Sequence, residues 1–127
     1  MPDAVRALNL RSLSLGPTVR TPTWLAGFSH LVELELARAV GEMPPLPSTL
    51  RILRHGDGPP DLDHVRGPPH LAELDIGDHR WRPCPMWLDE LRLRAFAATN
   101  VSIPAFAEAL RGMPLLRLKF VRAVPPP

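Results

Sequence analysis

The six residues Leu31-Val32-Glu33-Leu34-Glu35-Leu36 carry apolar side chains at the first, fourth and sixth places, and the chain keeps returning to that pattern. It is spelled again from Leu10 to Leu15, Leu71 to Ile76, Leu88 to Leu93 and Met113 to Leu118. A degenerate copy from Leu50 to His55 ends on a histidine. Starts at Leu10, Leu31, Leu50, Leu71, Leu88 and Met113 are separated by 21, 19, 21, 17 and 25 residues. The fourth and sixth places are two apart, which puts both side chains on one face of a strand. The first place breaks that alternation, so the backbone must bend into the strand for it to turn inward as well. A single turn of this kind cannot bury its own leucines. Stacked at roughly 4.8 Å, six of them form a parallel sheet about 29 Å long with a shared apolar interior. The expected class is therefore α/β: a solenoid of about six coils, with a parallel sheet on its concave face and mostly extended convex returns.

A chain of 127 residues is long enough to bury a core and is read as a single domain over 1–127. Its 17 prolines and 8 glycines would ordinarily suggest disorder. Here the prolines sit mainly between the repeats, where they set loop geometry. Lys119 is the only lysine among the basic residues, and a net charge of +2 is too small to imply a polyanionic partner such as nucleic acid. One cysteine, Cys84, cannot form an internal disulfide and suits a reducing compartment. The opening residues hold no apolar signal core, and no stretch approaches the roughly 20 apolar residues of a membrane span. These features lead us to expect a cytoplasmic protein.

Along the chain, residues 1–9 partly cap the stack, and Val5 to Leu10 overlaps the first repeat. Trp24, Leu25 and Phe28 suit one helical turn packed inward. Residues 41–50 are proline-rich and should be extended. A Pro-x-x-Pro ligand from Pro44 to Pro47 is the weaker reading of that stretch. Residues 55–70 hold three histidines and three aspartates. Their spacing fits neither a zinc site nor a calcium loop, so a mobile solvated loop is expected and no metal. Trp81 and Trp87 are expected to plug the interior, with Arg80 or Arg82 stacked on an indole. Cys84 has no helix N-terminus to activate it. One short helix is expected near 104–111, with Ser102 as a cap, Pro104 in the first turn, Gly112 at the end, and Phe106 and Leu110 facing the sheet. Residues 122–127 form a proline-rich tail.

With these repeats the chain resembles the leucine-rich repeat proteins, over roughly residues 5–121. The stretch from Met43 to Leu53 resembles the Leu-Pro-rich repeats of secreted bacterial effectors, some of which sit beside ubiquitin-ligase domains. Trp24 to Leu31 is closer to the general bacterial and plant repeat, and the helix from Pro104 resembles the returns of ribonuclease-inhibitor-like repeats. The resemblance implies protein binding through the concave sheet. It also allows an effector's secreted location, or a role as the substrate-reading part of a ligase. One departure stands out. The family's ninth position is usually Asn, whereas the repeats as framed here have Thr18, Ala39, Gly58, His79, Phe96 and Val121.

The third and fifth places point away from the core. In this frame the fifth place reads Ser14, Glu35, Arg54, Asp75, Arg92, Arg117 and the third Ser12, Glu33, Ile52, Glu73, Glu90, Leu115. Acid and base alternate from Glu35 to Arg92, a ladder in which each adjacent pair contributes about 0.2–1 kcal/mol. The expected partner-binding residues are Glu33, Glu35, Arg54, Glu73, Asp75, Arg92, Leu115 and Arg117. No Ser/His/Asp constellation or phosphate loop appears, so the expectation is a non-catalytic module with no cofactor. The C-terminal leucines are left without an evident polar cap, and stacking on a second copy is a further expectation.

Overall fold

The structure is a computed structural model, described here over residues 9–16, 25–38, 44–57 and 62–121. Six strands form one sheet in chain order: β1 (Ser12–Leu15), β2 (Glu33–Arg38), β3 (Ile52–Asp57), β4 (Glu73–Asp78), β5 (Ala95–Thr99) and β6 (Arg117–Val121). Every neighbouring pair is parallel. Parallel neighbours need a return across one face, and here the returns are short. Leu25–Gly27, Asp63–Arg66 and Leu88–Glu90 are single 3-10 turns, and α1 (Ile103–Leu110) is the one α-helix among the described residues. Ser102 precedes α1 and accepts the Phe106 amide at its carbonyl (3.2 Å), while Phe106 and Leu110 are buried as the spacing requires.

The register explains the burial. Leu13, Leu34, Leu53, Leu74, Phe96 and Leu118 lie opposite one another across successive strands. In the interior strands these side chains are 0–2 % exposed. Each such burial stabilises the fold by about 1.5–3 kcal/mol. The first-place residues Leu31, Leu50, Leu71 and Leu93 are buried beside them. α1 adds Phe106, stacked on Phe96 (centroids 5.9 Å apart) and meeting His79 edge-on at 5.4 Å.

The last two segments are framed differently from the sequence expectation. Ala95 pairs with Glu73 and Arg117 pairs with Ala95, so those segments begin at Leu93 and Leu115 rather than at Leu88 and Met113. The starts are then separated by 21, 19, 21, 22 and 22 residues, more even than before. Residues 88–90 instead make a 3-10 turn with Leu88 buried beneath it. The apolar pattern from Leu88 to Leu93 is real, but its residues pack from a turn. Asn100, outside the ninth place in both framings, lies one residue past the Asp78–Thr99 pair. Its side chain donates to Asp78 Oδ1 at 2.9 Å.

Other expectations also change. The 55–70 insert is not a free loop over its described part, because Leu62 and Val65 are buried and anchor 62–70 to the core. Pro44 and Pro47 are both buried, so the Pro-x-x-Pro reading fails on access. Trp81 is exposed rather than a plug. Trp87 is half-buried against the core. It donates to Asp63 Oδ1 at 3.0 Å and is covered by Arg66, not by Arg80 or Arg82. Trp24, Thr18, Ala39, Gly58, residues 1–8 of the N-terminal cap and the 122–127 tail lie outside the described residues.

β4 carries a bulge. Asp75 pairs with Ala97 but Asp78 pairs with Thr99, so Ile76 and Gly77 together oppose Ala98. Gly77 has φ +67°, and its amide donates to Asp75 Oδ1 at 2.8 Å. The chain then turns through Arg80 (φ 54°) and Trp81 (φ 62°), two consecutive left-handed residues held by Arg80 N–H to Asp78 Oδ1 and Trp81 N–H to Asn100 O. A left-handed non-glycine residue costs roughly 1–2 kcal/mol. Arg80→Gly is therefore expected to stabilise the protein by about 1 kcal/mol in urea unfolding, since the exposed Arg80 side chain makes no ion pair among the described residues. A lower midpoint would contradict the strain argument.

Candidate functional site

The face of the sheet opposite the core is built from the second, third and fifth places. In corrected register the third place reads Ser12, Glu33, Ile52, Glu73, Ala95, Arg117, and the fifth Ser14, Glu35, Arg54, Asp75, Ala97, Lys119. Glu33, Glu35, Arg54, Glu73 and Asp75 stand where the sequence placed them. Arg117 is on the face but in the third column, and the fifth place of its strand is Lys119. Arg92 is not in the sheet. It precedes Leu93, and its guanidinium donates to the carbonyls of Leu91 (3.1 Å) and Asp89 (3.4 Å). Leu115 is a half-buried first-place residue packed on the core. The even spacing of Leu93 and Leu115 was the signal that would have located Ala95, Ala97 and Lys119.

The expected ladder is only partly present. Glu35, Arg54 and Asp75 are register neighbours. Arg54 nevertheless donates diagonally to Glu33 Oε1 at 2.7 Å, and the Asp75 carboxylate takes the Gly77 amide. The alternation stops at Ala97. Arg117 reaches over Ala95 to pair with Glu73 on the strand beyond. Both ion pairs are partly solvated, so each contributes at most about 1 kcal/mol. Their larger effect is to fix side-chain directions around a furrow of about 450 Å³ over β5. Its floor is Ala95 and Ala97; the Glu73–Arg117 pair spans it at Ala95, and Asp75 and Lys119 stand on either side of Ala97. Small side chains between opposite charges leave a polarised depression on an otherwise crowded face.

The histidines form no such site. His55 and His64 meet Nε2 to Nε2 at 2.9 Å with rings edge-on, and no group of three or more metal-ligating side chains occurs among the described residues. Burial first, and His64 second, hold His55 far below the ordinary histidine value of 6.5, at about 3. Burial also lowers His79, whose Nε2–H donates to Pro83 O at 3.1 Å. At neutral pH both are uncharged core residues. The Cys84 thiol is pushed up to about 11 by burial, with Asp89 adding, so it stays protonated and is a poor nucleophile. No helix among the described residues is long and apolar enough to cross a membrane. In comparisons with known proteins, no family model, no curated protein and no solved structure matches this chain.

Proposed function

We propose that the chain is a non-catalytic leucine-rich repeat solenoid that docks a protein partner on its concave sheet, and that the furrow over β5 is where the partner anchors. The alanine floor between acidic and basic side chains carries this reading. It offers desolvated contact at the centre and opposite charges at the rim, the arrangement that gives interfaces their specificity. The buried neutral histidines and the unreactive thiol support a binding role over chemistry.

Ala97→Arg tests it. The added side chain fills the furrow from an already half-exposed position. It is expected to leave circular dichroism and melting unchanged while removing the partners captured by the wild-type protein. Ala107→Arg, on the exposed side of α1, is the control and should capture as the wild type does. Equal capture by the wild type and Ala97→Arg would end the proposal. A second reading, self-stacking through the last coil, is favoured by one observation. Leu116 is 81 % exposed and Leu118 50 % at the β6 edge. A strict monomer in sedimentation equilibrium at high concentration would remove it.

A further inference from the structure

The second place of each segment forms a column of its own, locked by a repeated bifurcated hydrogen bond. Arg11 O accepts the amides of Val32 and Glu33, both at 2.9 Å, and Val32 O those of Arg51 (2.8 Å) and Ile52 (3.0 Å). Arg51 O accepts Ala72 N–H (2.8 Å) and Glu73 N–H (3.0 Å). Ala72 O then takes Arg94 N–H (2.7 Å), and Arg94 O takes Leu116 N–H (2.7 Å). The column therefore runs Arg11, Val32, Arg51, Ala72, Arg94, Leu116, with arginine on alternate strands and an apolar residue between. Arg11, Arg51 and Arg94 are exposed. Among the described residues none of their side chains has an ion-pair or hydrogen-bonded partner. Three unsatisfied cations are thus held on a rigid backbone spacing, beside the furrow and contiguous with it through Arg117 and Ala95.

The spacing selects the ligand. Strands about 4.8 Å apart put successive arginines about 10 Å apart. Along an α-helix, seven residues rise about 10.5 Å and return to the same face. Residues three or four further on sit about 5 Å along, opposite Val32 or Ala72. An extended peptide fits less well, because same-face residues recur about every 6.7 Å. A phosphodiester backbone carries a charge on every unit, and would also meet Glu33 and Glu73 in the adjacent column. We propose that the arginine column binds an amphipathic partner helix lying along the solenoid axis, with acidic residues seven apart and apolar residues between them. This rests on the concave-face reading above and names the partner's chemistry.

The test uses the full chain and two labelled peptides of about 21 residues and equal composition. One carries glutamates seven apart with leucines between, and the other carries them five apart, spread around the helix. An oligothymidylate of matched length is the third probe. In fluorescence anisotropy the heptad peptide is expected to bind about tenfold or more tightly than the other two, and less tightly as salt is raised. Arg51→Glu should weaken it by about tenfold, and Arg51→Glu with Arg94→Glu should abolish it. Equal binding of the two peptides, or no effect of Arg51→Glu, overturns the proposal. So does oligothymidylate binding as tightly as the heptad peptide, which would make the column a nucleic-acid contact. If the heptad peptide fails while Ala97→Arg still loses the wild-type protein's captured partners, only the helix assignment falls. If Ala97→Arg also changes nothing, the concave-face reading falls with it.

Discussion

Gly77→Ala is expected to destabilise the protein by about 3 kcal/mol or more, enough to consume a large part of the stability of a domain this size. Two effects add. The residue sits at φ +67°, a conformation that costs an L side chain roughly 1–2 kcal/mol. A Cβ there would also run into the carbonyl oxygens of His55 and Gly56 on the neighbouring strand. Those oxygens belong to backbone, so they cannot rotate away, and relieving the overlap means separating β3 from β4, at a typical overpacking cost of about 1–3 kcal/mol. The bulge at Ile76–Gly77 depends on this close approach, and it aims Asp78 at Arg80 N–H and Asn100. Gly112→Ala is the control. A Cβ at Gly112 meets nothing within 4 Å and its φ is not left-handed, so the change should be neutral. Urea unfolding midpoints for the two variants decide the matter, and equal midpoints would exclude the steric account.

Acidification is expected to have an effect of similar size through His55. The unfolded chain binds a proton at this residue near its ordinary value of 6.5, while the folded protein resists until about 3. The folded value is the depressed one, so the stabilising contribution is complete above about pH 6.5. It is lost as pH falls toward 3, with a slope of ~1.4 kcal/mol per pH unit. About 3 kcal/mol should be gone by pH 4. The single Nε2 contact with His64, worth about 1 kcal/mol, is too weak to offset the desolvation of a charged ring. His79 is lowered by burial too and acts in the same direction. His55→Leu restores the apolar sixth place found in β2 and β4 and should flatten the pH profile between 6.5 and 4. A variant as acid-sensitive as the wild type would show that other groups govern the transition.

The four N-terminal segments were legible because their leucines are spaced like one another and little else nearby competes. From β1 to β4 the fourth places named from the residues are those the hydrogen-bonded register aligns, as are the sixth places Leu15, Leu36 and His55. Beyond that point two apolar triplets overlap. Leu88, Leu91 and Leu93 satisfy the spacing as well as Leu93, Phe96 and Ala98 do, and an alanine is a weak marker of an inward place. The error passed directly into the candidate site. It put Arg92 and Leu115 on the open face, moved Arg117 to the wrong column, and hid the alanine furrow. In the sequence His55 ends the degenerate copy and opens the polar stretch 55–70. It is a desolvated core residue because the segment behind it, through Leu62 and Val65, is folded down over it.

Local spacing by itself dictated that this chain makes short strands with one apolar face, and that neighbouring strands run parallel. The leucines of one segment are too few to bury one another and pack against those of the next and of the returns. It also dictated a short helix near 104–111, whose proline start and two core residues four apart are written within eight positions. The tertiary structure settled, through pairing with β4, which of two overlapping triplets entered the sheet, a choice that in the sequence shows only in the more even spacing of Leu93 and Leu115. The same holds for the titration of His55, the confinement of Gly77 and the separation of Arg11, Arg51 and Arg94. For Gly77 and the arginines this is a backbone about 20 or more residues away brought within a strand's width, and for His55 it is the segment of Leu62 and Val65 folded over it.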